Sequence, residues 1–348
     1  MYTAGLMKRT FSLLALFAVL ALPPVQAADP IVIKFSHVVA PATPKGKAAE
    51  KFKELAERYT QGAVKVEVHH NGQLYRDRDE MTALQLGAVQ MLAPSLSQLG
   101  PLGMRDFEVF DLPYLFPNKT VLYRVMDGNI GKRLFAKLEA KNIKGLAYWD
   151  NGFKQMSADR PLIKVEDFKG LKMRIQSSKV LDAQMRTLGA TTQVIPVLEV
   201  RARLEDGTVD GTENTLSNFY TQRLHEVQKH LTLSDHSYLG YAVIVHKPFW
   251  DGLKPDIRAQ LERAMKEATV YERKIAQEEN DDALAKVRAA GTTEIHVLPN
   301  EGRRAWQKSL LPVHEQLADV VGRDTIQAIY KIAAEVAREE QQRNGKKQ

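Results

Sequence analysis

The chain has 348 residues, long enough for two domains of ordinary size, and its 44% hydrophobic and 26% charged residues mark a soluble globular protein. Lys and Arg total 49 against 42 Asp and Glu, and the two signs are mixed along the chain, which excludes the basic stripe of a nucleic-acid binder. There is no cysteine, which excludes a disulfide framework, a thiol nucleophile and a thiolate metal site.

Lys8 and Arg9 precede "FSLLALFAVLAL", an apolar run too short to span a bilayer. "PPVQA" follows, with small or β-branched Val25 and Ala27 spaced for signal peptidase. Residues 1–27 therefore read as a secretory signal peptide cut after Ala27, with Met7 as the start. Cleavage leaves 47 basic and 42 acidic residues, a net charge of 47 − 42 = +5.

Past Ala27, strand and helix signals alternate. "IVIKFSHV" reads as a buried strand, "TPKGKAAEKFKELAERYT" as an amphipathic helix and "VKVEVHH" as a second strand. "DRDEMTALQLGAVQMLAPSLS" repeats the theme with a helix, a stop at Gly87 and a short strand. The pattern restarts in "FKGLKMRIQSS", where Leu171, Met173 and Ile175 alternate with Lys172, Arg174 and Gln176. Ser177 and Ser178 signal a helix start, and a helix over 178–188 closes at Gly189. "TTQVIPV" is the next strand, and a further helix leads to "LEDGTVDGTENTLS".

Gly87 to Ser97 and Gly207 to Ser217 share Gly, Val, Leu and Ser at equal offsets, with Pro94 opposite Asn214. Together with the repeated start, this predicts two α/β lobes of similar topology built on largely parallel sheets. From about Lys254 the chain is helical and charged. One run of about 35 residues before Gly291 is long enough to lie across both lobes.

Catalytic signatures are absent: the chain holds no P-loop, G-x-G-x-x-G, H-E-x-x-H or G-x-S-x-G. His69 and His70 are neighbours on a strand and point to opposite faces, so no metal and no cofactor is expected. Arg174 is the exception in an otherwise bland surface. It lies near the carboxyl end of a strand, where ligands of open α/β sheets bind, just before a helix begins. A guanidinium fork matches both oxygens of a carboxylate, and the helix N-terminus at Ser178 is expected to add N–H donors. Asn214 ends the equivalent short strand and can donate and accept, although a turn role explains it equally well.

The segments "YWDNGFKQMSADRPL", "FKGLKMRIQSSKVLDAQMRTLGA", "VDGTEN", "SDHSYLGYAVIVHKPFWDGL", "KFSHVVAPATPKGKAAEKF" and "FEVFDLPYLFP" span the mature chain. They resemble the solute-binding subunits of tripartite ATP-independent periplasmic (TRAP) transporters, and within these the C4-dicarboxylate-binding DctP group. The resemblance implies a periplasmic, non-enzymatic protein of two α/β lobes that close on a ligand, with a long helix spanning both. Residues 28–151 with 240–279 would form lobe I, and 152–239 with 280–348 lobe II. It implies that Arg174 salt-bridges the ligand carboxylate, that Asn214 bonds the same end and that Lys154 supplies a second basic group. Lys45, which otherwise reads as an ordinary first-turn helix lysine, and Ser95 would reach the far end of the ligand. Tyr238 and Phe219 are cleft-lining candidates. The implied partners are a small organic acid and the small and large permease subunits, with no nucleic acid, and a monomer is expected.

Three positions depart from the family pattern. Val197 stands where relatives often carry phenylalanine, Arg201 replaces tyrosine, and Thr215 replaces proline. These leave open another organic acid (2-oxo, hydroxy or aromatic), or a receptor that presents its ligand to a membrane sensor.

Overall fold

The computed structural model describes residues 29–345; the expected signal peptide and its cleavage site lie outside the described residues. Nine strands form one sheet: β1 (Ile31–Ser36), β2 (Val64–His69), β3 (Met91–Leu92), β4 (Ile143–Ala158), β5 (Lys172–Ile175), β6 (Thr191–Val194), β7 (Gly211–Asn214), β8 (His230–His246) and β9 (Glu294–Val297). The spatial order is β2-β1-β3-β8-β4-β7-β5-β6, with β9 pairing β8 off this path. That order is two like halves back to back. β2-β1-β3 is a parallel βαβ unit closed by antiparallel β8, and β6-β5-β7 is the same unit closed by antiparallel β4. The sequence echo marks this symmetry: β3 and β7 each begin four residues after the shared glycine.

The sheet is less parallel than expected, because β4 and β8 pair antiparallel along most of their length and join the lobes. These strands of 16 and 17 residues were not legible as strands. Both are buried for much of their length, so they carry apolar runs rather than alternation, and β4 is interrupted by "DNG". The register shifts between Asp150 and Gly152, opposite Gly240 and Leu239. Gly152 takes φ of +103°, a left-handed conformation that glycine adopts without a Cβ penalty.

A 36-residue helix, Pro255–Ala290, runs roughly 54 Å at 1.5 Å per residue. It ends at Gly291 in the left-handed conformation. Its first half contributes Ile257, Leu261, Ala264 and Ala268 to the core under β1 and the Pro44–Tyr59 helix. Its last turns place Ala283 and Val287 in a separate core with Phe219 and Leu231. Between them, Glu272 accepts the Asp150 amide at 2.8 Å, and Asn280 donates to the Asn151 carbonyl at 2.9 Å. The helix thus straps both halves and grips the irregular point of β4. The segment 96–138 joins one apolar cluster that holds Leu92 and Ile244 together with Met173, Leu181 and Trp306. Among the described residues, no helix is long and apolar enough to cross a membrane.

Candidate functional site

The two halves face each other across a small cavity of about 30 Å³. Lys45, Ser95, Lys154, Arg174 and Asn214 all lie on its wall. Arg174 is one residue from the end of β5 and only 3% exposed. Its Nε donates to the Ile195 carbonyl at 2.9 Å, which aims the guanidinium. Its Nη2 is buried and has no hydrogen-bond partner. Burial pulls the guanidinium down to about 10, with Asp77 and Glu213 opposing, so it stays charged at neutral pH.

Asn214 closes β7, two residues beyond Thr212, the parallel partner of Arg174. Its side-chain oxygen accepts from the Thr215 amide at 3.0 Å, leaving the NH₂ group to donate elsewhere. Lys154 is buried on β4 and is held by Glu213 at 2.5 Å. Burial alone would raise the Glu213 carboxyl, but the Lys154 ammonium and a hydrogen bond from His236 bring it down to about 2. His236 is in turn oriented by Ser234 at 2.8 Å. The wall behind Lys154 is therefore a closed ionic network.

The opposite wall comes from the first βαβ unit. Thr43 caps the Pro44–Tyr59 helix by accepting from Gly46 N, and Lys45 in that first turn is buried. Lys45 Nζ donates to the Ala93 carbonyl at 2.9 Å and lies 3.8 Å from the centre of the Tyr241 ring. Burial lowers its ammonium to about 8, against the pull of Glu80 and Asp77. Burial raises Glu80 to about 8, helped by Asp77 and opposed by Lys45. Ser95 begins the turn after β3 and accepts from Gln176 Nε2 at 2.7 Å, while Asp77 accepts the Val197 amide at 3.0 Å. These two bonds tie the walls together.

Sequence reasoning missed Asp77, Glu80, Gln176, Glu213 and Tyr241, which all line the cavity. Two had a signal. Gln176 shares the Arg174 face by the period of two, and Glu80 stands on the same helix face as the buried Ala83 and Leu84.

Tyr238 and Phe219 are not on the wall. Strand parity decides the first: Leu239 and Tyr241 line the cavity. Tyr238 instead packs between Phe116 and Phe153, with centroids 6.4 and 6.1 Å away. Phe219 is buried with Leu224 and Leu231, and its neighbour Asn218 takes the cavity position. The helix N-terminus after Arg174 is also not free. Glu108 Oε2 accepts Lys179 N at 2.7 Å, and Ser178 Oγ accepts Leu181 N at 3.3 Å, so its donors are occupied. Of the departures, only Val197 reaches the cavity. Arg201 pairs with Glu226 at 2.9 Å, and Thr215 accepts from Asn151 at 2.9 Å.

Residues 35–319 match the family model described as bacterial extracellular solute-binding protein, family 7. The chain is 60% identical over 316 residues to the C4-dicarboxylate-binding periplasmic protein DctP of Rhodobacter capsulatus, covering 91% of this chain and 95% of that one. A TRAP periplasmic solute-binding protein from Sulfurospirillum deleyianum with bound succinate superposes with a TM-score of 0.84 at 44% identity, covering 88% of this chain and all of that one. Another, from Pseudomonas aeruginosa with bound L-malate, gives 0.81 at 41% identity, covering 82% of this chain and all of that one. The family match over residues 35–319 and the 60% identity over nine-tenths of the chain place it plainly: this chain belongs to the DctP family of bacterial extracellular solute-binding proteins.

Proposed function

We propose that the protein captures a C4-dicarboxylate such as succinate, fumarate or malate in the periplasm. It then delivers this acid to the small and large membrane subunits of a TRAP transporter, without chemical turnover. The observation that carries this reading is that buried cations from both halves, Lys45 from one and Arg174 and Lys154 from the other, line one cavity. Arg174 with Asn214 and Lys154 takes one carboxylate; Lys45 with Ser95 takes the other. The unpaired Nη2 of Arg174 is a donor whose burial costs free energy until an acceptor arrives. The bound succinate and L-malate of the two related structures have this chemistry. A thermal-shift panel on refolded, acid-free protein tests the reading. Succinate, fumarate and malate raise the melting point, while 2-oxo monoacids, aromatic acids and uronates leave it unmoved; a shift with uronates alone overturns it. At a hundredfold excess over Kd the stabilisation is about 2.7 kcal/mol.

Two further outcomes follow from the wall chemistry. As pH rises through about 8, Lys45 loses its proton and Glu80 ionises. Both changes make the cavity more negative, so dicarboxylate affinity holds near neutrality and falls above that pH. Calorimetric titrations from about pH 6.5 to pH 9 read this directly, and a flat profile removes both groups from the site. Gln176→Ala deletes a bond between the walls of a kind worth about 1 kcal/mol, so Kd rises about fivefold. An unchanged Kd means that this bond does not hold the lobes shut.

A further inference from the structure

The sequence tests only the adjacent pair His69 and His70 as metal ligands. The fold brings together a different set, separated by more than sixty residues. His230 opens β8, and Glu294 and His296 lie on β9. The two strands are parallel, with His230 opposite Glu294 and Thr232 opposite His296. Cross-strand partners share a face, and so do residues two apart on one strand, so all three side chains project from the same face. Leu231 and Ile295 take the other face, within the apolar cluster that holds Phe219 and Val287. Glu294 N donates to Lys229 O at 2.8 Å, and Thr293 Oγ1 donates to His225 O at 2.8 Å, which clamps the start of β9.

One donor atom from each of the three residues lies within 4.8 Å of the other two. His230 Nδ1 is 3.0 Å from His296 Nε2. Glu294 Oε2 lies 3.5 Å from His230 Nδ1, and the other carboxylate oxygen, Oε1, lies 3.7 Å from His296 Nε2. An ion bonded at about 2.1 Å sets neighbouring donors roughly 3.0 Å apart in an octahedral site and roughly 3.4 Å apart in a tetrahedral one. The nitrogen pair is already at that spacing, and a small rotation of the Glu294 carboxylate brings one oxygen to it. The His side chains are 19% and 17% exposed, so packing holds the rings, while Glu294 is 67% exposed and leaves an open side for the ion and its waters. We propose that His230, Glu294 and His296 bind one late first-row divalent cation of the zinc class, through two imidazole nitrogens and one carboxylate. None of the three lines the acid cavity. The ion clasps β9, the strand that follows the long helix, to β8.

The test uses untagged mature protein stripped with a chelator and titrated with zinc chloride by calorimetry. One ion binds per chain. His296→Asn and Glu294→Ala each weaken zinc binding, the first by at least the roughly tenfold that losing a mere outer-shell partner costs. Both variants keep their organic-acid binding. Because Glu294 is exposed, its variant folds and decides the matter should His296→Asn not fold. Copper(II) in place of zinc gives an electron paramagnetic resonance spectrum split by two nitrogens in the native protein and by one in His296→Asn. No zinc uptake, or uptake that neither substitution changes, overturns the proposal.

Discussion

Arg174→Ala abolishes measurable acid binding while leaving the fold intact. The guanidinium is buried, aimed by the Ile195 carbonyl, and has an unpaired Nη2 beside the cavity. A carboxylate that enters without it is desolvated with no fork to meet it. Removing one partner of a buried ion pair costs about 3–5 kcal/mol. Each 1.4 kcal/mol is about tenfold, so more than two decades of affinity are lost. Arg174→Lys keeps the charge but not the two-pronged geometry, and retains weak binding. Calorimetry measures both variants, with circular dichroism as the check on folding. An unchanged Kd in Arg174→Ala removes this residue from the site.

Glu213→Ala is the variant with the largest expected effect on stability. Its carboxylate is the partner of buried Lys154 and accepts from His236 at 2.9 Å. Without it the buried ammonium keeps only the more distant Asp111 carboxyl, 4.0 Å away, and losing its close partner costs up to about 3–5 kcal/mol. The melting point falls by several degrees, and added dicarboxylate recovers part of the loss by supplying a new anion to the same wall. The pH dependence has a definite sign. The Glu213 carboxyl is near 4.5 when unfolded and about 2 when folded. A carboxyl depressed in this way contributes stability that is complete above about pH 4.5 and is lost as the pH falls toward 2. In Glu213→Gln the stability curve is flatter across that window. A melting point unmoved by Glu213→Ala would show that Lys154 finds another counter-charge.

Local pattern made much of this site legible. Arg174 was found because strand period, strand end and helix start coincide within "FKGLKMRIQSS", and β5 keeps all three. The echo between the two glycine-led segments marked the paired halves, because β3 and β7 do the same job at equal offsets. What local pattern could not reach was partnership across the chain. Glu108 occupies the helix N-terminus from 71 residues away, so donors that read as free are taken. Tyr238 was misplaced because β8 is buried on both faces around it and so shows no parity, and a one-residue slip turns a side chain to the opposite face. Phe219 failed for the helical equivalent: its neighbour Asn218 faces the cavity. Asp77 lies in the turn before the short Glu80–Gln85 helix, where an acid among Arg76, Arg78 and Asp79 reads as surface.

The two-ended character of the cavity is the central claim, and one titration addresses it. Refolded, acid-free protein is titrated by calorimetry with succinate and, in parallel, with butyrate, which keeps the four-carbon chain and one carboxylate. With cations at both ends, succinate binds and butyrate shows no measurable heat at the same concentrations, because butyrate brings no second carboxylate to Lys45. Equal affinity for the two acids would contradict the account, since only the Arg174 end would then be engaged.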